Sequence, residues 1–129
     1  MKSLTPGTIR APFAAYAHGI EIPAGHRLIR TSGQLGIRPD DSIPETAHEQ
    51  ATVCFDNIRA ILAEGGMGPG DVAHISAWVT ARDHMAGYMQ ARDAFTQGLP
   101  HLPASTLMIV SGFTRPEFLV EVEVLAAAP

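Results

Sequence analysis

With 129 residues, 46% of them apolar and 17% charged, the chain can bury one hydrophobic core, is too short for two, and is too apolar to be a disordered polymer. Nine Lys plus Arg against thirteen Asp plus Glu give a net charge of −4, and the basic residues, among them Arg27, Arg30, Arg38, Arg59, Arg82, Arg92 and Arg115, are dispersed, so the basic stripe that binds phosphates is missing and nucleic acid is not an expected partner. A single cysteine, Cys54, excludes an internal disulfide, no basic segment leads into an apolar export signal, and no apolar run nears the roughly 20 residues of a membrane span; the expectation is one domain over residues 1–129, cytoplasmic, with no membrane role.

The segment through Pro12 shows no period. Tyr16 to Ile22 and Arg27 to Gln34 read as two strands joined at Pro23-Ala24-Gly25, a hairpin by turn chemistry. Turn residues from Arg38 to Ser42 carry the chain to a helix that opens at Thr46, whose spacing to Glu49 is that of a capping box. Its stripe is Ala47, Ala51, Cys54, Phe55, Ile58, Ile61 and Leu62, and it ends at Gly65-Gly66. Cys54 falls on that stripe and reads as a buried thiol. The glycine-rich stretch from Gly65 to Gly70 follows a helix and lacks the Lys and Ser/Thr of a phosphate loop, so it reads as a connector.

Val72 to Thr80 alternates, with Ala73, Ile75, Ala77 and Val79 on one side and His74 and Trp78 on the other. Asp83 is placed to cap a second helix with a face of Met85, Tyr88, Ala91 or Arg92, and Phe95, closed by Gly98 and Pro100. Two strands follow, about Ser105 to Val110 and Glu117 to Ala126, separated by a turn from Gly112 to Pro116. The order ββ-α-β-α-ββ makes this an α+β domain, a mixed sheet with two helices on one face and the other face left for a partner. The high apolar share and low charge point the same way, to area buried between subunits.

On the last strand Val120, Val122 and Val124 share one face, and Glu121 and Glu123 share the other. Charge alternation of this kind ordinarily marks a solvated face. In a cleft between subunits the same carboxylate would have its proton affinity raised and could act as general acid or base on water. The six histidines show no metal-ligand spacing, and no metal is expected. Ser32-Gly33-Gln34 ends a strand, where a hydroxyl beside a glycine can orient a ligand or simply turn the chain.

Taken together, Tyr16-Ala17-His18-Gly19, Thr31-Ser32-Gly33-Gln34, Asp56-Asn57-Ile58 with its Gly65-Gly66 exit, Pro103-Ala104-Ser105 and Val120-Glu121-Val122-Glu123 resemble, in order and over nearly the whole chain, the RidA (YjgF/YER057c/UK114) family of enamine/imine deaminases. The resemblance implies a chorismate-mutase-like fold and a homotrimer whose sheets form a central barrel with clefts between subunits. It implies hydrolysis of a reactive imine or enamine to the carbonyl compound and ammonia, with no cofactor. By position Glu121 resembles the family carboxylate, Tyr16 the cleft tyrosine and Ser32 the strand-end serine, with Gly33 beside it. Three positions depart from the pattern. The carboxylate-binding arginine is replaced by Ser105, the sulfur-bearing position is Leu107, and the asparagine of the second helix is Met89. Small 2-imino acids are therefore expected to be poor substrates unless another cation substitutes, with Arg30 and Arg115 as candidates that also read as surface arginines. A trimeric small-metabolite-binding or chaperone-like protein using the same clefts is the alternative, and the endoribonuclease role given to some members ranks third on charge.

Overall fold

A computed structural model describes residues 1–129. Seven strands and two helices run in the order β1 (Lys2–Leu4), β2 (Gly19–Glu21), β3 (Arg27–Arg30), β4 (Gln34–Leu35), α1 (Ala47–Glu64), β5 (Val72–Val79), α2 (Met85–Thr96), β6 (Ala104–Ile109) and β7 (Val120–Ala128). The main sheet has the order β3-β7-β5-β6, with β4 continuing alongside β7. β6 is parallel to β5 across the α2 crossover, and the other pairings are antiparallel, so the sheet is mixed as expected.

Both helices pack on one face. Ala51, Cys54, Phe55, Ile58 and Leu62 of α1 meet the buried valines of β7 and Ile75, Ala77 and Val79 of β5. Phe55 stacks on Phe95 of α2 at 4.6 Å and lies 6.1 Å from the Tyr88 ring. The Thr46 hydroxyl caps α1 by accepting the Glu49 N–H at 3.2 Å. At the other end Gly66 takes a positive φ of 71°, and Gly66 and Met67 donate back to Ala63 and Leu62, which satisfies the last carbonyls. Gln50, fully buried on α1, donates to the Pro44 and Glu117 carbonyls and accepts the Leu119 N–H, each at 2.8 Å. One side chain thus ties α1 to both the loop before it and the entry of β7.

Three local expectations change. β2 does not form a hairpin with β3; it pairs antiparallel with β1, and β3 pairs with β7 from Arg27↔Ala128 to Arg30↔Leu125. Pro23 ends β2 because it has no N–H to extend a ladder, and the three residues of β1 are too few to show a period. The strand drawn from Arg27 to Gln34 is split at Thr31, whose hydroxyl accepts the Val124 N–H at 3.1 Å where a ladder bond would otherwise fall. Asp83 does not cap α2: it lies in a 3₁₀ turn, Arg82–His84, with His84 at the cap position and no side-chain bond there. The turn's own backbone bond, His84 N–H to Ala81, serves that end instead. No helix is long and apolar enough to cross a membrane.

Candidate functional site

The face of the sheet without helices carries the carboxylates. Register places Glu121 opposite Trp78 and Glu123 opposite Ser76, and the parallel pairing sets Trp78 beside Met108 and Ser76 beside Thr106 on that same face. Glu121 and Glu123 line a cleft of about 270 Å³ with Gly33, Trp78, Val110, Gly112 and Phe113. Partial burial, and next the Glu123 charge, raise the Glu121 carboxyl above its ordinary value. Its oxygens accept no hydrogen bond within the chain, whereas Glu123 is paired with Arg30 at 3.1 Å.

Gly33 leaves the space in which this carboxylate lies. A Cβ there would overlap Glu121 Oε1 and come within 2.7 Å of its Cδ. Gly33→Ala should therefore swing a flexible side chain aside at little cost to the fold but misplace the carboxylate; with Glu121 as the expected acid–base group, kcat falls by roughly 10- to 100-fold. Steady-state kinetics beside a thermal melt check it, and equal damage to both would contradict it.

A second cavity, of about 330 Å³, is lined by Phe13, Ala14, Tyr16, Met85, Met89, Arg92, Ser105 and Leu107. Tyr16 is held there as the backbone passes β6, with the Ala17 N–H donating to Pro103 at 2.9 Å. Its hydroxyl accepts the Phe13 N–H at 3.3 Å, which leaves its own proton free to be donated. Ser105 pairs with Ile75 and Leu107 with Ala77, two residues that face the helices. Glu121 and Ser105 consequently stand on opposite faces of one sheet.

The candidate residues thus fall into groups. Glu121 and Gly33 share the first cleft, with Ser32 exposed beside Gly33; Tyr16, Met89, Ser105 and Leu107 share the second. Arg30 joins neither: 73% exposed, it lines a separate cavity of about 200 Å³ with His74, Ser76 and Glu123. Arg115 lies over the Phe118 ring, 5.7 Å from its centroid, and lines neither cleft. Cys54 is buried, donates to the Gln34 carbonyl at 3.1 Å, and is pushed up to about 12 by desolvation, the state of a core thiol.

Arg92 is the residue that sequence reading left without a role. It was visible as a charged alternative to Ala91 on an apolar helical stripe, and the structure buries it in the second cavity. Since the like charge of Glu123 contributes to the raised Glu121 value, Glu123→Gln should move the Glu121 titration down toward the ordinary carboxylate range. The acid limb of a pH–rate profile governed by ionised Glu121 should shift to lower pH, and an unmoved limb would show that another group controls it.

A family model described as endoribonuclease L-PSP matches residues 8–128. The chain is 28% identical to the 2-iminobutanoate/2-iminopropanoate deaminase of Escherichia coli K12 over 128 residues, covering 96% of this chain and 97% of that protein. It is 30% identical over 76 residues to TdcF of the same organism, named as a reactive intermediate deaminase, and that match spans 57% of each chain. Among solved structures, YyfB of Yersinia pestis, described as a Rid-family protein of unknown function, superposes with a TM-score of 0.86 at 21% identity over 98% of both chains. E. coli TdcF with bound serine gives 0.74 at 21% identity, covering all of both chains.

Proposed function

Because the chain belongs to the RidA (YjgF/YER057c/UK114) family, we propose that it is an enamine/imine deaminase, hydrolysing a reactive imine or enamine to the carbonyl compound and ammonia at clefts between the subunits of a homotrimer. The observation that carries this reading is Glu121: a carboxylate with raised proton affinity and no partner of its own, in a cleft beside a glycine that makes room for it. Placement of Glu121 and Ser105 on opposite faces supports a site completed by a second copy, since no single chain can bring the two halves together. Leu28 and Met108, exposed on strands of the sheet, support burial of that surface on assembly into a chorismate-mutase-like barrel.

In this mechanism an enamine takes a proton at its β-carbon, or an imine takes one at nitrogen, to reach the iminium. Water, held by Glu121, attacks the iminium carbon; a C–O bond forms, the C=N pair moves to nitrogen, and a water proton passes to the carboxylate. The carbinolamine then collapses as Glu121 returns that proton to nitrogen, the C–N bond breaks, ammonia leaves, and the hydroxyl proton passes back to Glu121 to give the carbonyl. Tyr16 donates its free proton to the bound substrate, and the exposed Ser32 hydroxyl orients it from the Glu121 side. Water is the only co-reactant, so no cofactor or metal is called on. Net charge of −4 and paired carboxylates on the open face weigh against RNA as the substrate. The reading places the protein in the cytoplasm, where Cys54 stays reduced.

The test is decay of imines generated in situ by an amino-acid oxidase, spanning small and bulky side chains, with ammonia release and solution mass measured together. Acceleration by a trimer supports the proposal. A trimer that binds 2-oxo acids but accelerates no imine would favour the metabolite-binding alternative, which the apolar lining of the Ser105 cavity already suits.

A further inference from the structure

Arginine is seldom buried without a full set of partners, yet Arg92 is only 4% exposed and has a single one. Its Nε and Nη2 both donate to one oxygen of the adjacent Asp93, at 3.1 and 2.9 Å, and Asp93 is itself 52% exposed. Nη1 and the second Nη2 proton have no acceptor in the chain. The Asp93 contact fixes the guanidinium from its outer edge and leaves the other edge for the cavity that Arg92 lines with Tyr16, Met89 and Ser105.

The neighbouring polar groups are hydroxyls, able to donate or to accept. Tyr88, one turn earlier on α2, is fully buried with a hydroxyl that makes no hydrogen bond. Its titration is pushed up to about 12 by burial, against the opposing influence of the Arg92 charge and the nearby Ser105 hydroxyl. Arg92 and Ser105 line the cavity together, and Asp93, the carboxylate bonded to Arg92, is half exposed. The open N–H groups of the guanidinium call for an acceptor with two oxygens, and a carboxylate is that group, with the Ser105 hydroxyl able to donate to it.

Resting on the deaminase reading of this cavity, we infer that Arg92 holds the substrate carboxylate, supplying from helix α2 the cation that Ser105 on β6 does not. The substrate class is then an imine or enamine acid with an apolar substituent, its carboxylate on Arg92 and its side chain against Phe13, Met85, Met89 and Leu107. The acid is then recognised from α2, the element beside β6 in the cavity wall.

The experiment compares two imines that differ in the carboxylate: the imino acid made from leucine by an amino-acid oxidase, and the imine made from isoamylamine by an amine oxidase. The ratio of their kcat/KM values is insensitive to general damage. Arg92→Met should lower that ratio at least about 30-fold, as expected for removing a buried charge partner, and Arg92→Lys about 10-fold, since a lysine cannot make the paired contact. Calorimetry with the 2-oxo acid of leucine should show binding to the wild type and weakening by a similar factor in Arg92→Met. An unchanged ratio, or a wild type that does not bind the 2-oxo acid, overturns the assignment; if Arg92→Met does not fold, Arg92→Lys carries the same comparison. Binding of the oxo acid that depends on Arg92, with neither imine turned over, would refute the deaminase reading while leaving Arg92 as the carboxylate anchor.

Discussion

Glu121→Gln should abolish all but a trace of imine hydrolysis, lowering kcat by about 10²- to 10⁴-fold, the range associated with losing a positioned acid–base group. Glutamine keeps the shape of the side chain and can still contact water, but cannot take its proton. The substitution should leave the fold intact because Glu121 accepts no hydrogen bond in the chain. Its raised titration fixes the sign of the stability effect: the folded protein penalises the ionised form, so stability falls as pH rises from the ordinary carboxylate value through the folded one. Above that window Glu121→Gln should be as stable as the wild type or slightly more so. Retained turnover in a folded Glu121→Gln variant would remove the carboxylate from the mechanism.

Gln50→Leu should be the most damaging substitution away from either cleft. Leucine fills nearly the same volume, so cavity formation is not the issue. What is lost is a set of three 2.8 Å bonds, leaving the Pro44 and Glu117 carbonyls and the Leu119 N–H without their partner. At about 1 kcal/mol for each such group, the loss is about 3 kcal/mol, a sizeable part of the stability of a domain of this size. Leu119 immediately precedes β7, so slack there should also reach Glu121 two residues on, and activity should fall in the fraction that remains folded. Urea denaturation measures the first effect. A midpoint within experimental scatter of wild type would mean that water replaces the glutamine at no cost.

The carboxylate face was legible because the alternation of Val120 to Val124 survives any choice of neighbours, and α1 because its stripe, cap and glycine exit agree. Which strand each segment pairs with was not legible: β2 and β3 look like a hairpin locally, but three or four residues of alternation do not name a partner, and the long β7 offered β3 the better one. The same limit hid the relation between Glu121 and Ser105. Their faces follow from the register of β6 on β5 and of β5 on β7, two pairings made far apart in the chain. Tyr16 and Ser105 entered through the family resemblance alone, and Ser32, read from its own residues as a ligand contact or a plain turn, was given a role only by it. Arg92 was concealed differently: a charge on an apolar stripe ordinarily reaches past the core into water, and only the cavity wall around it gives it another use.

Separation of the two half-sites by the thickness of a sheet has a consequence for how the protein would behave in dilute solution. A folded but solitary chain would own both parts of the machinery and complete neither, so mass action would enter the rate law. Specific activity should fall on dilution below the dissociation constant of the assembly while the circular dichroism spectrum stays the same, and two folded variants, one damaged in each half, should recover activity when mixed and allowed to exchange subunits.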